Sequence, residues 1–402
     1  MKKNQLYQYV LSLGHLCSDI NQSILSAVLP FLIAAYHYDY TTAAMLVTVS
    51  NVFGSIVQPF FGSIADKYNK PYIISIGVLL AGGGMALTGF ISNFYGLCVA
   101  VIISGIGVAM FHPQAAKLVS LASNKSKQGH GISIFSFGGK IGSTLGPVLT
   151  SLAIVTFGMK GTIIFLIPAI IFGLISMFVL KDFDNLETVK KETEKTNVVV
   201  KDNWPGFIKL CAVVFGRSII TNGLSTFLAL YFIQSLNQSE TLSNTLVSVY
   251  YGIGAIATLF GGSLADKLGH RKMIRLSFMI FLPAMILFIA TNNLYLALLM
   301  LIPLAFGESF SYSPMVVLGQ QYLPNHTGFA SGITLGLAVS VGGILCPVLG
   351  MIGDMYGLKI VLTVIAAIAG IALFFSYLLP EINAETNVVK EKKWPKLLSY
   401  LK

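Results

Sequence analysis

The sequence predicts an all-α membrane protein: twelve transmembrane helices arranged as two pseudo-symmetric six-helix bundles. Three observations lead there. Charged residues make up only 10% of the 402-residue chain against 55% hydrophobic ones, whereas soluble domains carry roughly a quarter charged residues. The apolar residues fall into runs of about twenty, long enough at about 1.5 Å per residue to cross a hydrocarbon core of about 30 Å. A motif of the first half also recurs at nearly the same offset in the second. Helices are the default for such spans because backbone polar groups in lipid must be satisfied internally. A β-barrel would need segments of about ten residues with alternating polarity, and no such alternation is present.

Cutting the chain at polar, charged or Gly/Pro-containing breaks places the spans in order. They start near Leu6, Thr42, Tyr72, Phe94, Gly131, Thr162, Phe207, Ser243, Met273, Leu294, Gly328 and Gly357. The first follows Lys2 and Lys3 and resembles a signal peptide only superficially, since His15 and Asp19 interrupt the apolar stretch. Between the sixth and seventh lies KDFDNLETVKKETEKTNVVVKDN, the one long hydrophilic stretch. The expected organisation is therefore a first bundle over 1–180, a cytoplasmic linker over 181–203, a second bundle over 204–380 and a cytoplasmic tail over 381–402. Lys67, Lys70, Lys125, Lys127, the linker, Arg271, Lys272, Arg275 and the tail at 390–402 all fall on one side of this arrangement, with only Lys160 and Lys359 opposite. Basic residues collect in cytoplasmic loops, so both termini are expected in the cytoplasm. The net charge of +10 then marks a membrane side, and no nucleic-acid partner is expected. Cys17, Cys98, Cys211 and Cys346 each sit in an apolar run without C-x-x-C spacing, which indicates neither a zinc site nor a disulfide framework; no metal and no cofactor is expected.

The duplication is specific. FGSIADKYNKPY (61–72) returns as GGSLADKLGHRK (261–272), and Pro147-Val148-Leu149 returns as Pro347-Val348-Leu349. Parallel repeats of this kind suit a transporter with a pseudo-twofold axis along the membrane normal and a substrate site between its halves. Physically, Gly62 permits close packing, Asp66 is placed to accept hydrogen bonds from a helix N-terminus, and Lys67 and Lys70 stay in the aqueous interface. In the fifth span, GGKIGSTLGP contains Gly142, Gly146 and Pro147; the small residues allow close helix approach and the proline bends its helix.

The loop G-S-I-A-D-K-Y-N-K resembles the signature between helices 2 and 3 of the major facilitator superfamily. That resemblance implies a gate latch holding the halves together, with Asp266 and Arg271 in a second copy. The G-x-x-x-G-P of the fifth span resembles the antiporter motif of proton-coupled drug exporters, although Cys346 replaces the second glycine in the other half. The fourth span keeps Leu97, Gly105, Gly107 and Ala109 of the family pattern but has Val101 at its arginine position. LGHLCSDINQSILSAVLPFL (13–32), MFHPQAAK (110–117), GHGISIFSFGGKIGSTLGP (129–147) and GRSIITNGLSTFL (216–228) are similar to the fosmidomycin resistance family of that superfamily. The resemblance implies a multi-pass protein of the bacterial inner membrane, acting as a monomer, that exports a drug or metabolite in exchange for protons. A proton-coupled uptake symporter is the alternative, and a membrane-embedded acyltransferase using His112 as base a more distant one.

Few ionisable residues lie within the spans, and each is a functional candidate because a charge at the bilayer centre costs at least about 2.5–3.5 kcal/mol. His15, Asp19 and Gln22 share one face of the first span. Burial favours the neutral form of a carboxylate and a nearby cation its ionised form, so Asp19 is expected to load and release protons, with Glu308 as a second such group. Aligning LGH with FGR puts Arg217 at the position equivalent to His15, where it supplies a cation that Val101 does not, or binds an anionic group in a fork. His15, Gln22, His112, Lys140 and Arg217 form the expected substrate-binding set.

Overall fold

The computed structural model describes residues 3–38, 40–68, 70–181, 198–382 and 388–390. Most of the expected linker and tail lies outside them. The described residues form twelve helical rods. In chain order they are α1 (Lys3–Tyr36), α2 (Tyr40–Asn51 and Gln58–Lys67 around a π-helical turn at Val52–Ile56), α3 (Tyr72–Leu87), α4 (Phe94–Ala122), α5 (Gln128–Phe157) and α6 (Leu166–Val179, entered by the 3₁₀ segment Met159–Phe165). The second half repeats the series: α7 (Trp204–Leu236), α8 (Glu240–Leu268), α9 (His270–Ala290), α10 (Leu294–Phe310 continued by Tyr312–Tyr322), α11 (Thr327–Ser331 and Ala338–Tyr356 around a π-helical turn at Gly332–Leu337) and α12 (Leu358–Tyr377). Ten of these stretches are long and apolar enough to cross a membrane, and Tyr72–Leu87 is apolar but shorter. A single antiparallel ribbon, β1 (Val198–Val200) with β2 (Val388–Lys390), adds the one strand pair among the described residues.

Most rods begin within three residues of the expected positions, often slightly earlier because a polar cap precedes the apolar run. Asn93, Asn203, Ser239 and Asn293 each accept a hydrogen bond from a backbone N–H of the first turn that has no helical partner. The sixth is the exception: its start near Thr162 falls inside the 3₁₀ segment, and the α-helix proper begins at Leu166. Gly158 and Gly357 hold positive φ values of 67° and 85°, conformations that disfavour other residues. They terminate α5 and α11 at equivalent places in the two halves.

Each half buries its own core: Tyr7, Phe111, Phe135 and Phe172 in the first, and Tyr231, Phe232, Phe281 and Phe288 in the second. The outer faces stay apolar and exposed, with Val155, Phe178, Tyr295 and Phe374 among many such residues, as lipid-facing surfaces require. The glycines expected to bring helices together do so between α1 and α5. A Cβ at Gly142 would stand 3.0 Å from Leu16 Cα, and one at Gly146 2.9 Å from the Ile20 carbonyl oxygen. The closest backbone approaches of the halves include two pairs, α2 with α11 and α5 with α8. Gly62 abuts the backbone of Gly328, and Gly262 that of Gly129, closely enough that any side chain would overlap it.

Candidate functional site

Between the halves lies a cavity of about 640 Å³ lined from α1, α5, α7, α8, α10 and α11. His15, Asp19, Lys140, Arg217 and Glu308 all line it, together with Ser143, Thr221, Tyr251 and Tyr312. Gln22, expected beside His15 and Asp19, is outside the lining. Phe111 and Phe135 are buried behind the histidines, the Phe135 ring stacking on His15 with centroids 4.0 Å apart.

On the first-half side, α1 and α4 bring together two imidazoles and a carboxylate, with His15 and Asp19 lining the cavity and His112 behind them, outside the lining. His112 Nε2 lies 3.0 Å from Asp19 Oδ1 and His15 Nε2 3.5 Å from Asp19 Oδ2, while Ser143 Oγ donates to Oδ2 at 3.3 Å. The other nitrogen of each ring is committed to the backbone: His15 Nδ1 to the Phe135 carbonyl at 2.7 Å, and His112 Nδ1 to the Val108 carbonyl at 3.0 Å. The three polar groups converge within 4.8 Å, with both Nε2 atoms turned to the carboxylate itself. The sequence places His112 in the expected substrate-binding set and does not pair it with Asp19. Nor does it single out Gly139, where a Cβ would stand 2.5 Å from His15 Nε2 and 2.7 Å from Asp19 Oδ2.

On the second-half wall, the Arg217 guanidinium forms a close ion pair with Glu308, and Arg217 Nε donates to the Glu308 carbonyl at 3.1 Å. Thr221 Oγ1 donates to Glu308 Oε1 at 2.6 Å and Ser309 Oγ to Oε2 at 2.9 Å. Tyr312 covers the guanidinium, its ring centroid 4.9 Å from Cζ. Charge and hydrogen-bonding capacity are both satisfied, which a buried pair needs in order to repay its desolvation. Lys140 is held more loosely, at 3.4 Å from the Gly254 carbonyl and 3.5 Å from Ser309 Oγ. Its ammonium is thus the cation most available to a bound molecule, although Arg217 is the better anion fork by chemistry alone.

At one end of the molecule two aspartates clasp the halves. Asp66 accepts from the backbone N–H groups of Gly328 and Phe329 at 2.7 and 2.9 Å, at the start of α11. Asp266 accepts from Gly129 and His130, both at 2.8 Å, at the start of α5. Both use the unpaired donors and positive dipole end of a helix N-terminus. Lys117, which sequence reasoning did not single out, supports the first clasp by donating to the Ala65 carbonyl at 3.0 Å and lying 3.6 Å from Asp66. Lys67 and Lys70 are exposed nearby. Arg271 turns away from Asp266, donating to the Leu379 carbonyl at 2.9 Å and pairing with Glu381 beyond the end of α12. His270 takes the place beside Asp266, at 3.9 Å.

Two helical halves enclosing one charged cavity and clasped at one end define a membrane transporter rather than an enzyme. The chain belongs to the Major Facilitator Superfamily, whose sequence profile matches residues 11–347 and 210–402. It is 28% identical to the MFS-type transporter YfnC of Bacillus subtilis strain 168, over 92% of each chain. It is also 25% identical to the fosmidomycin resistance protein of Escherichia coli K12, over 89% of this chain and 88% of the relative. The fold matches the E. coli fucose:proton symporter FucP with a TM-score of 0.73, at 14% identity, over 95% of this chain and all of the other.

Proposed function

We propose that the chain is a twelve-span exporter that moves a small organic molecule out of a bacterial cell in exchange for protons, working as a single chain in the cytoplasmic membrane. The observation that carries this reading is the charged cavity buried between the halves and clasped at one end by the two aspartates, because alternating access requires one such site with a removable seal. Lys67, Lys70, Lys125, Lys127, Arg271 and Arg275 cluster at the clasped end. By the bias of basic residues toward the cytoplasm, that end is cytoplasmic and the conformation faces outward. Asp19 is the primary proton-coupling carboxylate, with Glu308 second. His15, Lys140 and Arg217 face the substrate; Lys140 meets its anionic part if it has one. The names of relatives, among them the fosmidomycin resistance protein, are consistent with an exported toxic compound.

Inverted membrane vesicles test this directly, with fluorescent cations, anions and neutral drugs offered with and without a pH gradient. Gradient-dependent accumulation of at least one class is expected, abolished in Asp19→Asn. Accumulation that ignores the gradient would remove the proton from the mechanism. Uptake in right-side-out vesicles, driven by an inward proton gradient, would favour symport instead.

A further inference from the structure

The geometry points to His112 Nε2 as the atom that shares the exchangeable proton with the coupling carboxylate Asp19 and on which that proton resides in this conformation. This deepens the proton-coupled reading and rests on it for its meaning in transport. A carbonyl oxygen can only accept a hydrogen bond, so the contacts of His15 Nδ1 with Phe135 and of His112 Nδ1 with Val108 place a hydrogen on both Nδ1 atoms. A neutral ring carrying its hydrogen there has only a lone pair at Nε2. In both rings that Nε2 faces the Asp19 carboxylate, which is itself an acceptor. At 3.0 Å, His112 Nε2 and Asp19 Oδ1 would be two acceptors in repulsion unless one proton lies between them. Resident on the imidazole, that proton makes a charge-assisted hydrogen bond of ordinary length. The longer His15 contact, 3.5 Å, leaves His15 the weaker claimant.

The neighbouring charges fit this assignment. From α5, Ser143 donates to the other carboxylate oxygen and Lys140 lines the same cavity; across it stand Arg217 of α7 and Glu308 and Tyr312 of α10. Arg217 and Glu308 neutralise one another, so neither competes for the His112 proton. Unloading takes the proton from Nε2 by way of Asp19, which lines the cavity, and leaves a lone pair against the carboxylate.

Nitrogen NMR of the full chain, ¹⁵N-labelled at its six histidines and held in lipid nanodiscs, reads both ring nitrogens. The His112 signal is identified by its loss in His112→Gln. At pH 6 the wild-type ring should carry hydrogens on both nitrogens. In Asp19→Asn at the same pH the Nε2 proton should be lost and the Nδ1 hydrogen kept, while Asp19→Glu should retain both. A wild-type His112 with a bare Nδ1, or an Nε2 proton unchanged by Asp19→Asn, overturns the assignment, and the wild-type spectrum alone decides should a variant misfold. Because no transport is involved, the outcomes separate. A doubly protonated His112 in a protein whose vesicles ignore the pH gradient refutes the exporter mechanism and leaves the proton site standing. Gradient-driven export with a bare Nδ1 does the reverse.

Discussion

Arg217 and Glu308 show why a charged pair inside a membrane protein is worth more as a pair than either member alone. Their side chains are 12% and 5% exposed, and removing one leaves the other buried and uncompensated, at a cost of about 3–5 kcal/mol. Glu308→Ala and Arg217→Ala should each lower the melting temperature in detergent clearly, and the double variant should recover most of the loss. An additive double variant would mean that the two charges act independently. On the opposite wall, Gly139→Ala should impair proton-driven transport at near-normal expression, because the added methyl would intrude on His15 Nε2 and Asp19 Oδ2. The identities of His15, Asp19, Lys140, Arg217 and Glu308 as isolated charges in apolar runs were legible in the sequence. Their division into a His–Asp–His wall and an Arg–Glu wall was not, because it depends on which helices from distant parts of the chain share a face.

At the scale of elements, the α1–α5 seam is set by small residues. Gly142→Val would drive a branched side chain into the backbone at Leu16, and overpacking of this kind costs about 1–3 kcal/mol. A marked drop in folded yield is expected. Gly83 of α3 has nothing within 4 Å of an added Cβ, so Gly83→Ala should be neutral or stabilising by up to about 1 kcal/mol through helix propensity. Thermal unfolding of both variants checks the contrast. The glycine spacing of α5 could be read from the sequence, whereas Gly83, flanked by Gly82 and Gly84, could not be told from its neighbours. Those two each meet a neighbouring element, Ala169 and Phe165 for one and Ala100 and Ser104 for the other.

For the whole molecule, the two aspartate clasps tie the halves together at one end. Each is a pair of charge-assisted hydrogen bonds, worth about 1.5–3 kcal/mol apiece, and opening that end must break both pairs. Asp66→Asn combined with Asp266→Asn should shift the population toward the state open at the clasped end. Spin labels at the exposed positions Lys127 and Leu268 would report this as a longer distance by pulsed electron resonance, and an unchanged distribution would show that other contacts hold the seal. Either single variant should shift it less, since each leaves the other clasp in place.

Composition, run length and the repeated G-S-x-A-D-K stretch determined by themselves that this chain is helical, membrane-embedded and built of two related halves. These are properties of local hydrophobicity and of one-dimensional order. Only the tertiary structure decided that His112 meets Asp19, that Glu308 pairs with Arg217, and that His270 instead of Arg271 stands beside Asp266. Each of these is a contact a few ångströms long between side chains whose relative direction follows from how helices cross and rotate, which no spacing along the chain encodes.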